Sequence, residues 1–283
     1  MLKMKFDDLL VSVVVAIVIF FNTLSTTMLN KGIFHMNASA LLLVVLLLAL
    51  RFWNKIHVSY TYLLFSLALL SIGVLVYVKT GRLNFLVYSL LMSLLISADR
   101  KVVLRTYIFV GGSVLVSVFF LSLLKVIPNL QYSRGGVIRN SFGFIYPTDF
   151  ASHCFYLFVA ISYLLKNRYI WLRTFVGFFL AVFLIKFCDA RMNAYSLLVG
   201  TLIFAFFYLT KEKKIGLYAF MPYSVALFSS LILYLTYHFS WASPFYVRIN
   251  QLITGRLALG KNAFNLYELN WFGTRGVQFI GSG

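Results

Sequence analysis

The chain has 283 residues, of which 61% are hydrophobic and 11% charged, and its mean hydropathy is +0.90. A soluble domain carries roughly 25% charged residues and buries only about three quarters of its surface at this size. The composition therefore excludes a soluble globular domain and predicts an integral membrane protein, because lipid accommodates the remaining apolar surface. The net charge of +18 comes from basic residues that stand in ones to threes between apolar runs. This spacing favours membrane lipids rather than nucleic acid as partners.

The apolar runs predict an all-α, polytopic transmembrane bundle with about nine spans, since about 20 residues of helix cross the hydrocarbon core. The first run follows Lys3 and Lys5 and is too long for the apolar core of a signal peptide, which has about 7–15 residues. The predicted spans cover residues 9–29, 33–50, 59–78, 83–98, 102–127, 150–165, 169–187, 194–210 and 216–238. We interpret residues 1–283 as a single integral membrane domain.

The distribution of basic residues predicts a cytoplasmic N-terminus. Basic residues divide almost evenly between the two sides, but the short loops on one side carry two or three of them beside a span, which is typical of the cytoplasmic face. The remaining arginines lie in two longer segments rich in Gly, Ser and aromatic residues, the loop 128–149 and the C-terminal segment 239–283. We assign both segments to the outer face, where an anionic ligand would explain their arginines.

The loop before the sixth predicted span contains the first candidate cluster. Arg134 and Arg139 can bind phosphate oxygens through bidentate guanidinium groups, although Arg139 would serve equally as an anchor to lipid phosphates. Asp149 opens the apolar run, where a carboxylate either caps the helix or acts in catalysis. His153 follows four residues later on the same helical face and is either a proton relay with Asp149 or a histidine with an ordinary hydrogen bond.

A second cluster, Lys186, Asp189 and Arg191, lies between the seventh and eighth predicted spans. Charges at a membrane boundary are costly unless they form pairs or reach water. Lys186 and Asp189 have the spacing of a helical pair, whereas Asp189 and Arg191 would not face each other on a regular helix. The cluster is therefore either a functional site or a solvated turn with an interfacial ion pair.

The third cluster lies in the C-terminal segment. Apolar and basic residues alternate over Arg248–Lys261, as in an amphipathic helix at the membrane interface. Arg256 follows Gly255 and could instead point into a cavity. Glu268 comes next and adds a carboxylate, and Trp271 suits the level of the lipid head groups.

Several signatures of cofactor and metal chemistry are absent from the sequence. It contains no phosphate-binding Walker loop, no dinucleotide fingerprint, no Asp-x-Asp motif and no His, Cys or Asp cluster with metal-ligand spacing. Cys154 and Cys188 are interpreted as small buried apolar residues. We therefore expect no cofactor and no metal, and a metal-independent reaction if the protein is an enzyme.

The three clusters together resemble the Wzy-type polymerases of bacterial O-antigen and capsular polysaccharide, which are related to the O-antigen ligases. The resemblance lies in Arg139–Thr148, where the family often has an Arg-x-x-Gly-Phe-x-x-Pro-Asn-like segment, and in Asp189–Arg191 at the start of a span. It continues in Leu252–Arg256 and the aromatic-Gly turn Trp271–Gly273. Thr148 departs from the family, which often has Asn there.

The resemblance implies a glycosyltransferase of the bacterial plasma membrane that polymerises undecaprenyl-pyrophosphate-linked repeat units at the outer face. It implies pyrophosphate binding by Arg134, Arg139, Arg191 and Arg256, and a catalytic base among Asp149, His153, Asp189 and Glu268, with Asp189 ranked first. Its partners would be the lipid-linked glycan, and a chain-length regulator and flippase of the same pathway. Because the family's later Asp-Asn-x-Tyr-like segment and final spans are missing, we expect the chain to lack a C-terminal part.

Two other functions fit the same features, and a third alternative, a purely structural membrane subunit, gives no account of the outer arginines. A lipid-linked glycan ligase would share the family motifs but is expected to carry a catalytic histidine in a large outer loop. A flippase or other transporter for lipid-linked oligosaccharides would show internal repeats and charges at the middle of its spans, and neither pattern is evident here.

Overall fold

The computed structural model describes residues 6–29, 59–95, 98–134, 136–165, 168–209, 217–253, 255–267 and 270–277. Within these ranges the protein is nearly all-α, as the sequence predicts, and the only sheet is a two-stranded hairpin. The elements are α1 (Phe6–Ser25), α2 (Tyr60–Thr80), α3 (Asn84–Leu95), α4 (Arg100–Leu123), β1 (Gln131–Arg134), β2 (Val137–Asn140), α5 (Pro147–Leu165), α6 (Ile170–Phe183), a π-helical turn (Leu184–Cys188), α7 (Arg191–Leu209), α8 (Leu217–Tyr237), α9 (Pro244–Leu252) and α10 (Arg256–Leu266).

Six helical segments in the described part of the chain are long and apolar enough to cross a membrane, fewer than the nine predicted from the sequence. They are Asp8–Ser25, Tyr60–Thr80, Arg100–Leu123, Pro147–Leu165, Ile170–Cys188 and Arg191–Leu209. The predicted fourth span is the shorter helix α3, with 12 residues. The predicted ninth span coincides with α8, whose apolar part, Ala226–Tyr237, is shorter than a membrane span. The predicted second span, 33–50, lies outside the described residues.

The chain divides into two compact units, one of residues 1–73 and 83–211 and the other of residues 74–82 and 212–283. The first contains the helices α1 and α3 to α7 and the hairpin. The second contains α8, α9 and α10. Our interpretation of residues 1–283 as a single membrane domain stays a prediction.

In the first unit, α1 and α4 run side by side in the same direction. Ile19 of α1 is near Gly111 of α4, and the residues after α1 meet the loop that follows α4, where Met28 donates its backbone N–H to the Gly143 carbonyl at 2.9 Å. Helix α5 runs in the opposite direction along α4, because its early residue Phe150 stacks on Phe119, with ring centroids 5.8 Å apart, while its later residue Leu157 approaches Gly112.

Aromatic side chains fill the core at the end of the first unit that carries the hairpin. The ring of Phe142 lies 5.2 Å from that of Phe150 and 5.5 Å from that of Phe183, and Phe144 is fully buried beside them. Offset and tilted aromatic pairs of this kind add roughly 0.5–1.5 kcal/mol each to the energy of apolar burial. The cluster therefore fixes the loop after the hairpin against α4, α5 and α6.

The loop 128–149 contains the regular hairpin of β1 and β2, which the sequence analysis does not predict. Tyr132 pairs with Arg139 and Ser133 with Ile138 in an antiparallel register. Gly136 at the turn has a φ of 80°, a left-handed conformation that glycine adopts without strain. Aromatic and β-branched residues favour the ladder, and four paired residues suffice to turn the chain back.

In the second unit, the amphipathic helix predicted over Arg248–Lys261 is divided into α9 and α10. Gly255 has a φ of 83° and ends the helical path of α9. The buried side chain of Asn250 accepts a hydrogen bond from the backbone N–H of Ala258 at 3.2 Å and so ties the start of α10 to α9. Lys261 donates from Nζ to the Tyr237 carbonyl at 2.7 Å, at the end of α8.

Candidate functional site

The centre of the candidate site is Asp189, whose position depends on a local change of helix type. After Phe183 the chain makes a π-helical turn over Leu184–Cys188, which inserts an extra residue into the helical repeat. The turn ends at Asp189, which has φ 45° and ψ 37° and is therefore left-handed. This backbone directs the carboxylate inward, and only 6% of Asp189 is exposed.

The carboxylate of Asp189 pairs with Arg191, the first residue of α7. Arg191 donates from Nε to Oδ1 of Asp189 at 2.7 Å. The other oxygen, Oδ2, is buried and has no hydrogen-bond partner among the described residues. An unsatisfied buried oxygen is destabilising, so this atom is a candidate to accept a proton or a hydrogen bond from a ligand.

The predicted pair of Lys186 with Asp189 is wrong. Lys186 is exposed and lies over the ring of Phe187, 5.7 Å from its centroid, while Asp189 pairs with Arg191. The prediction assumed a regular helix through the cluster. Because Asp189 is left-handed and stands between the π-helical turn and α7, residues two apart can face each other here.

The strand β2 brings Arg139 to the π-helical turn. Arg139 donates from Nε to the Cys188 carbonyl at 3.0 Å, and Asn140 donates from Nδ2 to the Phe187 carbonyl at 3.3 Å. The Cys188 carbonyl belongs to the residue directly before Asp189. Two of the predicted pyrophosphate ligands are therefore held here, Arg191 at the Asp189 carboxylate and Arg139 at the neighbouring backbone carbonyl. This hydrogen bond uses Nε and does not engage the terminal Nη groups of Arg139.

One face of the hairpin carries both loop arginines. Because Tyr132 is paired with Arg139 and Arg134 with Val137, Arg134 and Arg139 are diagonal neighbours on the same face, a relationship that spaces two residues by about 7–8 Å. The Tyr132 hydroxyl donates to the Ile145 carbonyl at 2.7 Å. Burial, followed by the nearby Tyr146 and Asp149, raises the pKa of the Tyr132 phenol, which therefore stays a proton donor.

The start of α5 borders the same region through Asn193. The Asn193 side chain donates from Nδ2 to the Thr148 carbonyl and to the Ser152 hydroxyl, both at 3.1 Å. Since Asn193 stands two residues after Arg191 on α7, these bonds tie the beginning of α7 to the beginning of α5. Asp149 is half-buried in the first turn of α5, where the helix dipole favours a carboxylate.

His153 has a hydrogen-bond partner other than Asp149. Its Nε2 lies 3.1 Å from the Thr26 hydroxyl, and its ring packs 5.4 Å from that of Phe144. The residues next to Thr26 join the same loop, because Ile145 donates its backbone N–H to the Thr26 carbonyl at 2.8 Å. His153 thus makes the ordinary hydrogen bond that is one of its two predicted alternatives, and this bond joins the residue after α1 to α5. Its role as a proton relay with Asp149 stays a prediction.

The remaining predicted residues come from a later part of the sequence than this cluster. Arg256 is exposed at the start of α10, in the second unit. Glu268 lies outside the described residues. Among the described residues, no group of three or more His, Cys, Asp or Glu side chains is arranged to hold a metal ion.

Three residues that help to build the site were not predicted from the sequence. Asn140 and Asn193 each follow a predicted arginine by one or two positions, and Thr26 lies at the end of α1. The signal that could have identified the two asparagines is the repeated juxtaposition of an arginine and an amide in both segments. Nothing in the sequence marks Thr26, because its partner His153 is far away along the chain.

No family model matches the chain, no curated protein matches it, and no solved structure matches it.

Proposed function

We propose that this chain is a multi-pass protein of the bacterial plasma membrane with about nine spans and a cytoplasmic N-terminus. The six long apolar helices support a membrane location. The parallel directions of α1 and α4 add a constraint, since an odd number of crossings must join two helices that cross in the same direction. Either α2 alone crosses between them, or α2, α3 and the predicted span 33–50 all do, and the nine-span arrangement adopts the second alternative.

We further propose that the protein polymerises undecaprenyl-pyrophosphate-linked repeat units into a capsular, O-antigen or exopolysaccharide at the outer face. The observation that carries this proposal is the buried Asp189 carboxylate, which holds Arg191 through one oxygen and keeps the other unpartnered among the described residues, while Arg139 is bonded to the backbone carbonyl of the preceding residue, Cys188. A base of this kind, with one guanidinium group paired to it and a second anchored at the neighbouring residue, suits a reaction in which a hydroxyl displaces an anionic leaving group.

In the proposed reaction, a sugar hydroxyl of the incoming unit attacks the anomeric carbon that bears the lipid diphosphate. The new glycosidic C–O bond forms as the bond from this carbon to the diphosphate oxygen breaks, and Oδ2 of Asp189 takes the hydroxyl proton. The lipid diphosphate leaves with the electron pair of the broken bond. Arg139 and Arg191 would stabilise its developing charge, and Arg134 lies on the same hairpin face as Arg139.

The proposed reaction does not use the remaining candidates, Asp149, His153, Arg256 and Glu268. His153 acts as a structural link to Thr26, since its ring nitrogen is already engaged there. Asp149 supports the start of α5. Arg256 stays a predicted pyrophosphate ligand and Glu268 a predicted catalytic base, both in the C-terminal segment.

The experiment that tests the proposal is the length of the surface polysaccharide in cells that lack the chromosomal gene and express variants at equal level. Asp189→Asn keeps the shape of the side chain but removes the base, so we expect only single repeat units on a polysaccharide gel. Arg139→Ala and Arg191→Ala should shorten the chains as well, and Arg→Lys should rescue poorly because a point charge lacks the bidentate fork.

Lys186→Gln is the matched control, because it removes an exposed charge three residues from Asp189 without touching the ion pair. The control should give chains of normal length. Normal chains from the Asp189→Asn protein would contradict the proposed base.

A further inference from the structure

A cavity of about 610 Å³ lies between α1, α4 and α5, on the face of α5 that carries His153. Its polar lining is concentrated at one end, where Asn22 and Thr23 of α1 meet Ser152 and His153 of α5. The rest of the lining is aliphatic and aromatic and extends to Tyr163 of α5 and Leu104 of α4. The cavity is therefore amphipathic along its length.

The cavity follows the axis of α5. Ser152 and Tyr163 both line it and are eleven positions apart on the helix, which corresponds to about 16 Å at 1.5 Å per residue. A long, mainly apolar groove between helices fits an extended hydrocarbon chain better than a sugar, which would need several polar partners along its length.

The polar end of the cavity is continuous with the candidate site. Ser152 lines the cavity and also accepts the hydrogen bond from Asn193, two residues after Arg191 on α7. His153 lines the cavity and bonds to Thr26, whose carbonyl is joined to the loop after β2. An amphiphile with its chain in the cavity would thus have its head at the end of the first unit where Arg139 and Arg191 lie.

We infer that this cavity binds the polyprenyl chain of the lipid diphosphate substrate. The inference rests on the proposed function for the identity of the lipid, while the apolar lining supports the chain and the two arginines support the anionic head. The cavity holds the chain on the α1 side of α5, so that the diphosphate reaches the guanidinium groups and the reacting carbon reaches Asp189.

A second cavity, of about 470 Å³, lies on the opposite face of α5 and provides an internal comparison. Its lining is apolar except for Arg173 and Ser162, and Arg173 donates from Nη1 to the Ser162 carbonyl near the end of α5. This charged end is opposite to the end of α5 where Asp149 lies in the first turn. A chain whose head lies at Asp189 would therefore not use it.

The test is photo-crosslinking of the full-length protein in liposomes of phosphatidylethanolamine and phosphatidylglycerol, with radiolabelled undecaprenyl diphosphate as the probe. The photoreactive residue p-benzoylphenylalanine replaces Tyr156 or Tyr163, which line the first cavity and are 59% and 50% exposed. The control replaces Phe175, which is similarly exposed, at 69%, but lines neither cavity. We expect labelled adducts at the two tyrosine positions that excess unlabelled undecaprenyl diphosphate removes and excess phosphatidylglycerol does not.

A pair of blocking variants sharpens the test. Val159→Trp fills the first cavity, and Ile161→Trp places the same side chain in the second. Val159→Trp should lower the yield of adduct at Tyr163 at least about tenfold, equivalent to about 1.4 kcal/mol of binding, and Ile161→Trp should leave it unchanged. Adducts with phospholipid alone, equal labelling at Phe175, or equal effects of the two tryptophans would overturn the inference.

Crosslinking needs neither a glycan nor a reaction, so it fails independently of the proposed function. If adducts are absent while Asp189→Asn still abolishes polymer, the chain site is wrong and the polymerase proposal stands. If adducts form but Asp189→Asn makes normal polymer, the proposed base is wrong and the lipid site stands.

Discussion

Arg191 donates from Nε to Oδ1 of Asp189 at 2.7 Å, although Ala190 alone separates the two residues. A continuous helix would turn these side chains about 200° apart, and an extended strand would space them at about 7 Å. The pair forms because a π-helical turn ends at Asp189 and α7 begins at Arg191. The two side chains of this pair differ in exposure, because Arg191 is 55% exposed and Asp189 only 6%. The guanidinium can therefore reach a ligand while the carboxylate is held in place.

The left-handed backbone of Asp189 predicts an order of stability among its variants. Asp189→Ala loses the ion pair and keeps the unfavourable conformation, which costs an L-residue about 1–2 kcal/mol. Asp189→Gly loses the same pair but relieves the backbone, so we expect it to be about 1 kcal/mol more stable than Asp189→Ala. Thermal unfolding in detergent measures the difference, and equal melting temperatures would argue against a strained backbone.

Asp189→Asn should be the most stable of the three variants. Asparagine tolerates the left-handed region and preserves the volume of the side chain. A melting temperature of Asp189→Asn close to the wild-type value would show that loss of polymer in this variant reflects chemistry rather than unfolding.

Replacing Gly143, in the loop that supports the site, should also lower the stability of the protein. It has a φ of 83°, and a Cβ atom there would lie 2.7 Å from Cδ1 of Ile127 and 3.0 Å from Cγ1 of Val118. Gly143→Ala should therefore combine backbone strain with overpacking, which typically costs about 1–3 kcal/mol. Gly136→Ala is the control, since its φ is 80° but nothing lies within 4 Å of the added atom. A similar loss of melting temperature in both variants would refute the close packing at Gly143.

Gly177 predicts how closely α6 and α7 approach. A Cβ atom at this position would clash with Oγ1 of Thr201 and lie 2.8 Å from Cζ of Phe158. Small residues allow this close contact between apolar helices, so Gly177→Ala should destabilise the protein by about 1–3 kcal/mol. Gly200→Ala on α7 meets nothing within 4 Å and should be neutral or stabilising, since alanine favours a helix over glycine by about 1 kcal/mol. The reverse order in a thermal unfolding experiment would place the helix contact elsewhere.

The proposed orientation predicts which positions an impermeant maleimide labels in intact cells. Ile138→Cys at the hairpin should be labelled from outside, because 61% of Ile138 is exposed and the loop is assigned to the outer face. Tyr169→Cys, between α5 and α6, should be labelled only after permeabilisation. The wild-type chain is the background control, since Cys154 and Cys188 are both buried. Labelling of position 138 only in permeabilised cells would reverse the orientation and remove the outer-face site.

The long helices were predictable because each is a run of apolar residues whose length alone identifies it. The predicted spans 59–78, 150–165 and 194–210 overlap α2, α5 and α7 within a few residues. The end of the fourth span was less predictable. The apolar run predicts a span that reaches Ala98, whereas α3 ends at Leu95 and Ala98 lies in a bend. Hydropathy alone does not locate the end of a helix.

The candidate site was predictable in its residue types but not in its pairings. Charge at a span boundary identified Asp189 and Arg191, yet the pairing with Arg191 depends on a π-helical turn, which leaves no periodic signal in five residues. The hairpin was missed because its strands have four residues each and lie among glycines. His153 was linked to Asp149 by spacing, whereas its partner Thr26 is 127 residues away and follows from tertiary packing.

The release of undecaprenyl diphosphate by protein in liposomes, with a purified lipid-linked repeat unit as the only substrate, tests the central claim most directly. The account predicts that the wild-type chain releases one lipid diphosphate for each repeat unit added to a growing glycan. Asp189→Asn should release none, and Lys186→Gln should match the wild type. Transport of intact substrate without release, or equal release by the Asp189→Asn protein, would contradict the account.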